Sequence, residues 1–373
     1  MIGIITINDY VNYGNRLQNY AVYRVLSQYD TTYNIERFYF AERTDQKHLA
    51  SREIEEAYRP VIDRWKYYGC LLDTEGIQTD FADNERLRKE RFLEFNSLIQ
   101  YGERITCETD YMSLNSKYDF FVAGSDQVFN PTFPGNGMYV NMLGFADREK
   151  RIAFSPSIGI NPVPEENEEE FRTYLKDFRS LSCREKQGAE YIGKITGRKC
   201  EWLADPTLMI DKEEWHDISR KPETELTEEK YILLYFLGYL TEEYRDLVLR
   251  IADKYGYEII NLKDPQSPFY SSGPREFIYL IEHAALVLTD SFHGAIFSYL
   301  FNRPFRVFKR NEDLADMSCR MTSLVEKLHL NEDIYFSGQS DINNVLKTDY
   351  DYTVLDSERE KVRSYLEKAL EAK

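Results

Sequence analysis

The sequence predicts two doubly wound α/β domains in tandem, facing each other across a cleft. The chain has 373 residues, a length that suggests two domains of roughly 100–200 residues each. Short apolar, β-branched runs alternate with stretches of helical periodicity, which is typical of βαβ units and parallel sheets. That alternation stops at residues 211–229, a charged stretch that contains Pro222 and lacks an apolar period, and then starts again.

The first domain is predicted at residues 1–220 and opens as a strand, a polar loop, a helix and a second strand. Met1–Ile7 is a short apolar run that favours a buried strand. Apolar residues recur at helical spacing after Arg16, and residues 33–40 predict the second strand. Further strands are predicted at 118–123, 151–155 and 181–183, with helices that start near 162 and 185.

Residues 43–101 differ from the rest of this domain because they are rich in Arg, Lys, Glu and Asp. Glu85–Leu98 has strongly helical character. The region is predicted to be a helical insertion, either a lid over the cleft or a solvated helical excursion.

The second domain is predicted at residues 221–350, where strands and helices alternate again. Strands are expected at 231–236, 257–262, 285–289 and 304–308, and helices at 242–255, 274–283 and 294–300. Residues 351–373 form a separate segment with an amphipathic helix.

Charge and composition exclude several classes of function. With 47 basic and 64 acidic residues the net charge is −17, which argues against a nucleic-acid partner because phosphate backbones bind basic surfaces. The first residues lack a basic leader, and no stretch approaches the roughly 18 apolar residues of a membrane span. The five cysteines are widely spaced without a C-x-x-C pair, so no metal site is predicted. A cytoplasmic protein is expected.

The turn after the strand at 285–289 contains the strongest candidate for chemistry. Parallel α/β sheets bind ligands beyond the carboxyl ends of their strands, and His293 lies there at the start of a helix. Ser291 can cap that helix, whose free N–H groups attract phosphate or carboxylate, and Gly294 would let a ligand approach the backbone. A histidine at this place can act as a general acid or base near neutral pH. The alternative is a simple cap beside a packed histidine.

Two other strand ends supply charged candidates. Arg184 follows the strand at 181–183, and its planar guanidinium suits bidentate binding of phosphate or carboxylate; an interdomain salt bridge is an equally good interpretation. Asp126 lies in the polar turn after the strand at 118–123, where it could act as a base, bind sugar hydroxyls or cap the turn.

Other polar side chains are expected to line the same cleft, although helix entry alone would also explain some of them. Residues 13–20 lack the glycine patterns of dinucleotide and P-loop sites, so neither is supported. The candidates for cleft contacts are Asn15, Arg16, Gln18, Ser125 and Gln127.

Five segments occur in an order that resembles the polysaccharide pyruvyl transferase family. They are Asn12–Ala21, Gly124–Asn130, Ser182–Glu185, Asp205–Leu208 and Thr289–Gly294, with Pro304-Phe305 after the last. Together they span about residues 1–310. The turn at 155–159 departs from the Ser-Phe-Gly-like sequence expected there.

This resemblance implies a GT-B-like fold and phosphoenolpyruvate as the co-substrate, with no further cofactor. The product would be a cyclic pyruvate ketal on a sugar of a bacterial capsule or exopolysaccharide, or of its lipid-linked precursor. A lipid-linked acceptor would bring the protein to the surface of the inner membrane.

The resemblance also implies that Arg184 and His293 contact the donor. Lys309 would add a positive charge beside the His293 turn. In this hypothesis His293 is the proton donor and Asp126 the base on the acceptor side, in the first domain.

Two other functions fit the same architecture. A glycosyltransferase would need a ribose-binding carboxylate, for which Glu282 is the nearest acid in the sequence. A non-catalytic glycan-binding relative would bind sugar without the donor.

Overall fold

A computed structural model describes residues 1–9, 11–37, 78–105, 109–132, 138–226, 230–311, 317–336 and 342–371. Two sheets, each built of parallel strands, form the centres of two α/β units. None of the described helices is long and apolar enough to cross a bilayer.

The first sheet has the strand order β3-β2-β1-β4-β5, and all of its strands are parallel. A single bridge between Ile152 and Ser180 joins it to a short pair, β6 and β7. The strands are β1 Ile2–Ile5, β2 Thr32–Arg37, β3 Tyr101–Ile105, β4 Phe120–Ala123, β5 Arg151–Ala153, β6 Ser182–Cys183 and β7 Glu201–Trp202.

The second sheet has the order β11-β10-β8-β9 and is also parallel. Its strands are β8 Tyr231–Tyr235, β9 Glu258–Asn261, β10 Leu286–Thr289 and β11 Phe305–Val307. Residues of β8 and β10 are buried throughout, as expected for central strands that helices cover on both faces.

Helices cover both sheets. Those of the first half are α1 Tyr13–Leu26, α2 Gln78–Asn96, α3 Tyr111–Lys117, α4 Met138–Asn141, α5 Glu168–Leu175, α6 Lys186–Thr196 and α7 Lys212–Ile218. Those of the second half are α8 Glu242–Tyr255, α9 Pro274–His283, α10 Phe292–Leu300, α11 Ser318–Lys327 and α12 Thr353–Leu370. Short 3-10 turns lie between them.

The two halves share a continuous apolar core. Helix α1 is buried along nearly its whole length and α10 along all of it, because each packs between the two sheets. Tyr13 stacks on Phe277 of α9 with ring centroids 4.6 Å apart. Its hydroxyl donates to the Ser272 carbonyl at 2.7 Å and accepts from Arg88 at 2.7 Å. The cleft is therefore closed at its base by buried aromatic and polar contacts.

The C-terminal helix α12 crosses back to the first half of the chain. The hydroxyl of Tyr365 donates to the Ala153 carbonyl at 2.6 Å, and Arg359 donates to the Leu208 carbonyl at 2.8 Å. The last helix of the chain therefore packs against the first half, although it follows the second half in sequence.

Most predicted elements are present, with two differences. Residues 211–229, interpreted as a linker, contain α7, because Trp215 buries its indole against Phe297 at 4.9 Å between centroids. The predicted insertion at 43–101 ends where β3 begins. This strand pairs with β2, and no periodicity in the sequence had predicted it. Residues 43–77 of that insertion lie outside the described residues, and 78–96 are helical as predicted.

Candidate active site

The topological switch points of both sheets face the same cleft. In the first sheet the chain leaves β1 and β4 on opposite sides, and in the second it does so at β8 and β10. The loops after these strands are the places where doubly wound sheets bind ligands. They supply Asp9 after β1, Asp126 after β4 and His293 after β10.

His293 lies in the first turn of α10 and is buried, with 7% of its surface exposed. The Ser291 hydroxyl caps this helix by accepting the Gly294 N–H at 3.3 Å. The ring packs so closely on α1 that a Cβ at Gly14 would lie 2.2 Å from Nδ1. Its Nε2 has no hydrogen-bond partner and lies 3.7 Å from Oδ2 of Asp205. This buried nitrogen is available to a ligand.

Arg184 follows β6 and is only 3% exposed. Its Nη1 donates to Asp205 at 2.7 Å, and its Nε lies 3.4 Å from Glu185. Its Nη2 is buried without a hydrogen-bond partner, 3.7 Å from Asp126. The guanidinium lies over the Phe292 ring, 4.3 Å from its centroid, so Arg184 of the first half meets the His293 turn directly.

Asp205 joins these two cationic side chains. Its Oδ2 contacts both Arg184 and His293, while Oδ1 accepts from the backbone and hydroxyl of Thr207 at 2.9 and 2.6 Å. Burial raises the pKa of Asp205, but His293, Arg184 and Thr207 outweigh it and hold that pKa well below its usual range. Asp205 is therefore a fixed negative charge that orients both cations.

Asp126 lies on the first-domain side of this cluster. Its Oδ2 accepts from the Asn15 amide at 2.9 Å, and its Oδ1 faces Arg184. Burial raises the pKa of Asp126, yet Arg184, His293 and Asn15 more than offset it and lower that pKa overall. The structure thus brings Asn15, Asp126, Arg184 and His293 together in one cluster, and their roles in binding and catalysis stay predictions.

A cavity of about 470 Å³ opens beside the His293 turn. Phe292 forms one wall, and Lys309, Arg310 and Arg320 contribute positive charge. Arg310 donates to the Asp290 carbonyl at 3.0 Å and lies 3.4 Å from the Asp290 carboxylate, which also lines the cavity, whereas Lys309 has an exposed side chain. The cavity is walled mainly by apolar groups and carries its charge at a few points, which is typical of small-ligand sites.

Arg320 is the unusual cation of this cavity. It is 8% exposed, and its acceptors are the carbonyl and the sulfur of Met317, each at 3.4 Å. Within the described ranges no carboxylate lies at ion-pair distance from it. Burial, Arg310 and Arg184 lower the pKa of Arg320 to about 10. Asp126 and Glu185 favour this charge only at longer range, and a buried charge without a close partner is costly, which makes Arg320 a candidate anion-binding side chain.

Two predicted cleft residues make buried hydrogen bonds that stabilise the loop after β1. Arg16 is fully buried and donates to the Ile7 carbonyl, Asn96 and Tyr101. Gln18 donates to Thr6 and to the Asn15 carbonyl. These side chains hold the loop after β1 in place and have no free surface in the cleft.

The predicted residues of the turn after β4 also serve the loop itself. The Ser125 hydroxyl donates to the Ser155 carbonyl at 2.7 Å, and the Gln127 carbonyl oxygen accepts from the Asn130 amide at 2.9 Å. The first contact joins the turn to the loop after β5 and the second lies within the turn, while the Ser125 hydroxyl also lies 3.5 Å from Oδ2 of Asp205.

Ser291 caps the helix as predicted, whereas Gly294 has a structural explanation that the sequence did not suggest. A Cβ at Gly294 would lie 2.7 Å from Oγ1 of Thr289, so the close approach there is to the preceding strand. The Ser291 hydroxyl is occupied by the Gly294 N–H. Asp290 accepts the N–H groups of Leu237 and Gly238 and fixes the neighbouring loop.

Sequence reasoning missed Arg310, Arg320 and the role of Asp205. Arg310 lies in the loop after β11, next to the predicted Lys309, so the strand-end rule could have found it. Asp205 stood in a matched segment without an assigned role. Arg320 lies inside α11 and reaches the cavity only through tertiary packing, which no local pattern indicates.

Comparisons with known proteins agree with this geometry. A model of the polysaccharide pyruvyl transferase family matches residues 12–312, well over half of the chain. The matched range contains Arg184, Asp205 and His293. A search among curated proteins finds no significant match.

Solved structures with a similar fold include two UDP-GlcNAc 2-epimerases. UDP-GlcNAc 2-epimerase of Methanocaldococcus jannaschii, in complex with UDP-GlcNAc and UDP, is 13% identical with a TM-score of 0.52, covering 98% of this chain and 99% of that one. The Neisseria meningitidis enzyme bound to UDP-GlcNAc is 12% identical with a TM-score of 0.45, covering 100% and 94%. At such identities the likeness shows the fold alone, which is GT-B-like as predicted. Because the family model matches residues 12–312, the chain belongs to the polysaccharide pyruvyl transferase family.

Proposed function

We propose that the protein transfers the pyruvyl group of phosphoenolpyruvate to a sugar diol as a cyclic ketal, with release of phosphate. The acceptor is a sugar of a surface polysaccharide or of its lipid-linked precursor. The observation that carries the proposal is the group of cationic side chains around the cavity, of which Arg320 is buried and has no carboxylate partner in the described chain.

The charges suit this donor. Phosphoenolpyruvate carries a phosphate and a carboxylate, and Lys309, Arg310 and Arg320 offer a pocket for the more highly charged phosphate. Arg184 has an unpartnered Nη2 beside the unpartnered Nε2 of His293, which suits a carboxylate next to the reacting carbons. Such prearranged donors stabilise charge without reorganisation during the reaction.

The chemistry follows from these positions. His293 donates a proton to the methylene carbon, C3, and C2 becomes an oxocarbenium-like centre. One sugar hydroxyl forms a C–O bond to C2 and gives up its proton to a base. The second hydroxyl then forms the other C–O bond while the bond from C2 to the phosphate oxygen breaks. The methylene of the donor ends as the methyl group of the ketal.

The test incubates the purified protein with phosphoenolpyruvate and a panel of p-nitrophenyl hexopyranosides and lipid-linked sugars. We expect phosphate release that matches the formation of a product heavier by one pyruvate ketal. His293→Gln is the negative control, and folding of both proteins is checked by circular dichroism. A folded wild-type protein that is inactive on every acceptor and does not bind phosphoenolpyruvate would refute the proposal.

Donor binding distinguishes the proposed reaction from the alternative of a glycosyltransferase that uses a nucleotide sugar. Glu282, the acid that could bind a ribose, pairs with Nδ1 of His216 at 2.8 Å, so the structure does not favour this alternative. Thermal-shift titration with phosphoenolpyruvate and with UDP-sugars should show stabilisation by the former.

A further inference from the structure

Two aspartates lie in the loops after β1 and β4 of the first sheet, and the Asn15 amide joins the backbone of one to the carboxylate of the other. Asn15 accepts the backbone N–H of Asp9 on Oδ1 at 2.9 Å and donates from Nδ2 to Asp126 at 2.9 Å. Beyond Asp126 lie Arg184 at 3.7 Å, then Asp205 and His293. A row of polar contacts therefore leads from Asp9, after β1, to His293, after β10.

Asp126 is poorly suited to take a proton from a sugar hydroxyl. One of its oxygens accepts from Asn15 and the other faces the guanidinium of Arg184. Although burial raises the pKa of Asp126, Arg184, His293 and Asn15 reverse this and lower it. A carboxylate that is stabilised in this way is a weak base.

Asp9 differs from Asp126 in each of these respects. Its side chain is half-buried, as that of Asp126 is, but its Oδ1 accepts only the backbone N–H of Val11, at 3.1 Å. No described residue donates a hydrogen bond to its Oδ2. Asp9 therefore has an oxygen that an acceptor hydroxyl can approach.

The charges around Asp9 come from three elements. Arg16 of α1 and Lys263 of the loop after β9 favour its ionised form, while Asp126 opposes it. Burial is the largest influence and raises the pKa of Asp9 overall. A carboxylate with a raised pKa is closer to the range in which a general base works well at neutral pH.

We propose that Asp9 is the general base that deprotonates the attacking sugar hydroxyl, in the reaction given under Proposed function, on which this assignment rests. The hydroxyl oxygen bonds to C2 of the donor as its proton passes to Oδ2 of Asp9, and C3 takes its proton from His293. The second hydroxyl gives its proton to the departing phosphate. Asp126 is then a positioning residue that holds Arg184 and, through Asn15, the loop of Asp9.

Replacement of the carboxylate tests the assignment. The assay uses phosphoenolpyruvate and the p-nitrophenyl hexoside that the wild type converts fastest. Asp9→Asn keeps an oxygen for the Val11 N–H but removes the base, so kcat should fall about 100- to 10,000-fold. The dissociation constant of phosphoenolpyruvate should change less than about threefold.

The pH profile distinguishes a base from a structural residue. Wild-type kcat/KM should fall as the pH drops through the pKa of Asp9, because the base must be ionised. Asp9→Asn should lose this acidic limb, whereas Asp126→Asn should keep the limb and weaken phosphoenolpyruvate binding. Asp351→Asn is a matched control, because Asp351 accepts the N–H of Thr353 two residues on in the same way, at 2.9 Å.

A second variant covers the case in which Asp9→Asn misfolds. Asp9→Ala should regain at least tenfold in rate with added formate, a small carboxylate that can replace the missing base. If the wild type is active while Asp9→Asn folds and keeps near-normal kcat with its acidic limb, the assignment is wrong and the proposed function stands. If the wild type shows no phosphoenolpyruvate-dependent activity, the proposed function itself fails.

Discussion

Removing the charge of Arg320 should stabilise the ligand-free protein while weakening its binding of phosphoenolpyruvate. Burial, Arg310 and Arg184 lower the pKa of Arg320 to about 10, from an unperturbed value above 12. One pKa unit corresponds to about 1.4 kcal/mol, so the lowered pKa of Arg320 corresponds to a cost of about 3 kcal/mol for folding with this side chain charged.

The sign follows from proton binding. Arg320 is protonated at neutral pH in both states, but the folded state holds its proton less tightly than the unfolded state. Folding at pH 7 therefore bears this penalty, which disappears as the pH rises through 10. Arg320→Met keeps an unbranched chain as far as the position of Nε and removes the charged guanidinium, so the free energy of unfolding should rise by about 1–3 kcal/mol.

Donor binding should change in the opposite direction. A hydrogen bond to a charged group contributes about 1.5–3 kcal/mol, so the dissociation constant of phosphoenolpyruvate should rise roughly 10- to 100-fold. Urea denaturation with and without phosphoenolpyruvate measures the stability, and calorimetric titration measures the affinity.

A buried arginine of the same domain provides the control. Arg306 donates to the carbonyls of Phe305 and Asn344, so Arg306→Met should destabilise the protein and leave donor affinity nearly intact. The reasoning fails if Arg320→Met behaves like Arg306→Met, with lower stability and unchanged binding.

Further changes test other parts of the site. His293→Gln should lower kcat at least about 100-fold without unfolding the protein, and Gly14→Ala should lower kcat about tenfold because its methyl group would lie 2.2 Å from Nδ1 of His293; near-normal turnover in steady-state assays would remove His293 from the mechanism. Asp205→Asn should cost about 3–5 kcal/mol at pH 7 by leaving buried Arg184 without its partner. Because the pKa of Asp205 is lowered on folding, the stability that its charge contributes is present above about pH 4 and is lost as the pH falls further. Urea titrations should therefore show a smaller difference in free energy of unfolding between the wild type and Asp205→Asn at pH 3 than at pH 7. An equal difference at the two pH values would contradict the assignment. Tyr13→Phe should cost about 1–3 kcal/mol, since its hydroxyl joins Ser272 and Arg88 at the base of the cleft, and an unchanged denaturation midpoint would show that this contact is not structural.

The fold was largely predictable because its central strands are short, continuous apolar runs. Residues of β1, β8 and β10 are buried on both faces, and such strands stand out from the polar loops that follow them. Strand β3 was not predictable, since its exposed and buried residues alternate weakly at the edge of the sheet. Helix α7 was hidden for a similar reason, because Trp215 alone anchors its short, charged sequence.

The candidate site was predictable where it follows strands directly. His293, Arg184, Asp126 and Asn15 each come after a strand or begin the next helix, so the strand-end rule brought them to one cleft. Arg320 could not be found in this way, because it lies within α11 and reaches the cavity only when that helix packs beside the His293 turn.

Four predicted cleft residues that make hydrogen bonds within the protein show the limit of the strand-end rule. Arg16, Gln18, Ser125 and Gln127 lie in the expected loops, but their side chains turn back into the protein. A sequence shows which loop a residue belongs to, and only packing decides which way its side chain points.

The most direct test of the central claim is the reaction carried out in deuterium oxide with unlabelled phosphoenolpyruvate. If His293 protonates C3 of this donor, the methyl group of the ketal should carry one deuterium, and each product formed should accompany one released phosphate. Mass spectrometry and proton NMR of the purified product measure both. A ketal methyl without deuterium, or sugar transfer from a nucleotide sugar in the absence of phosphoenolpyruvate, would contradict the account.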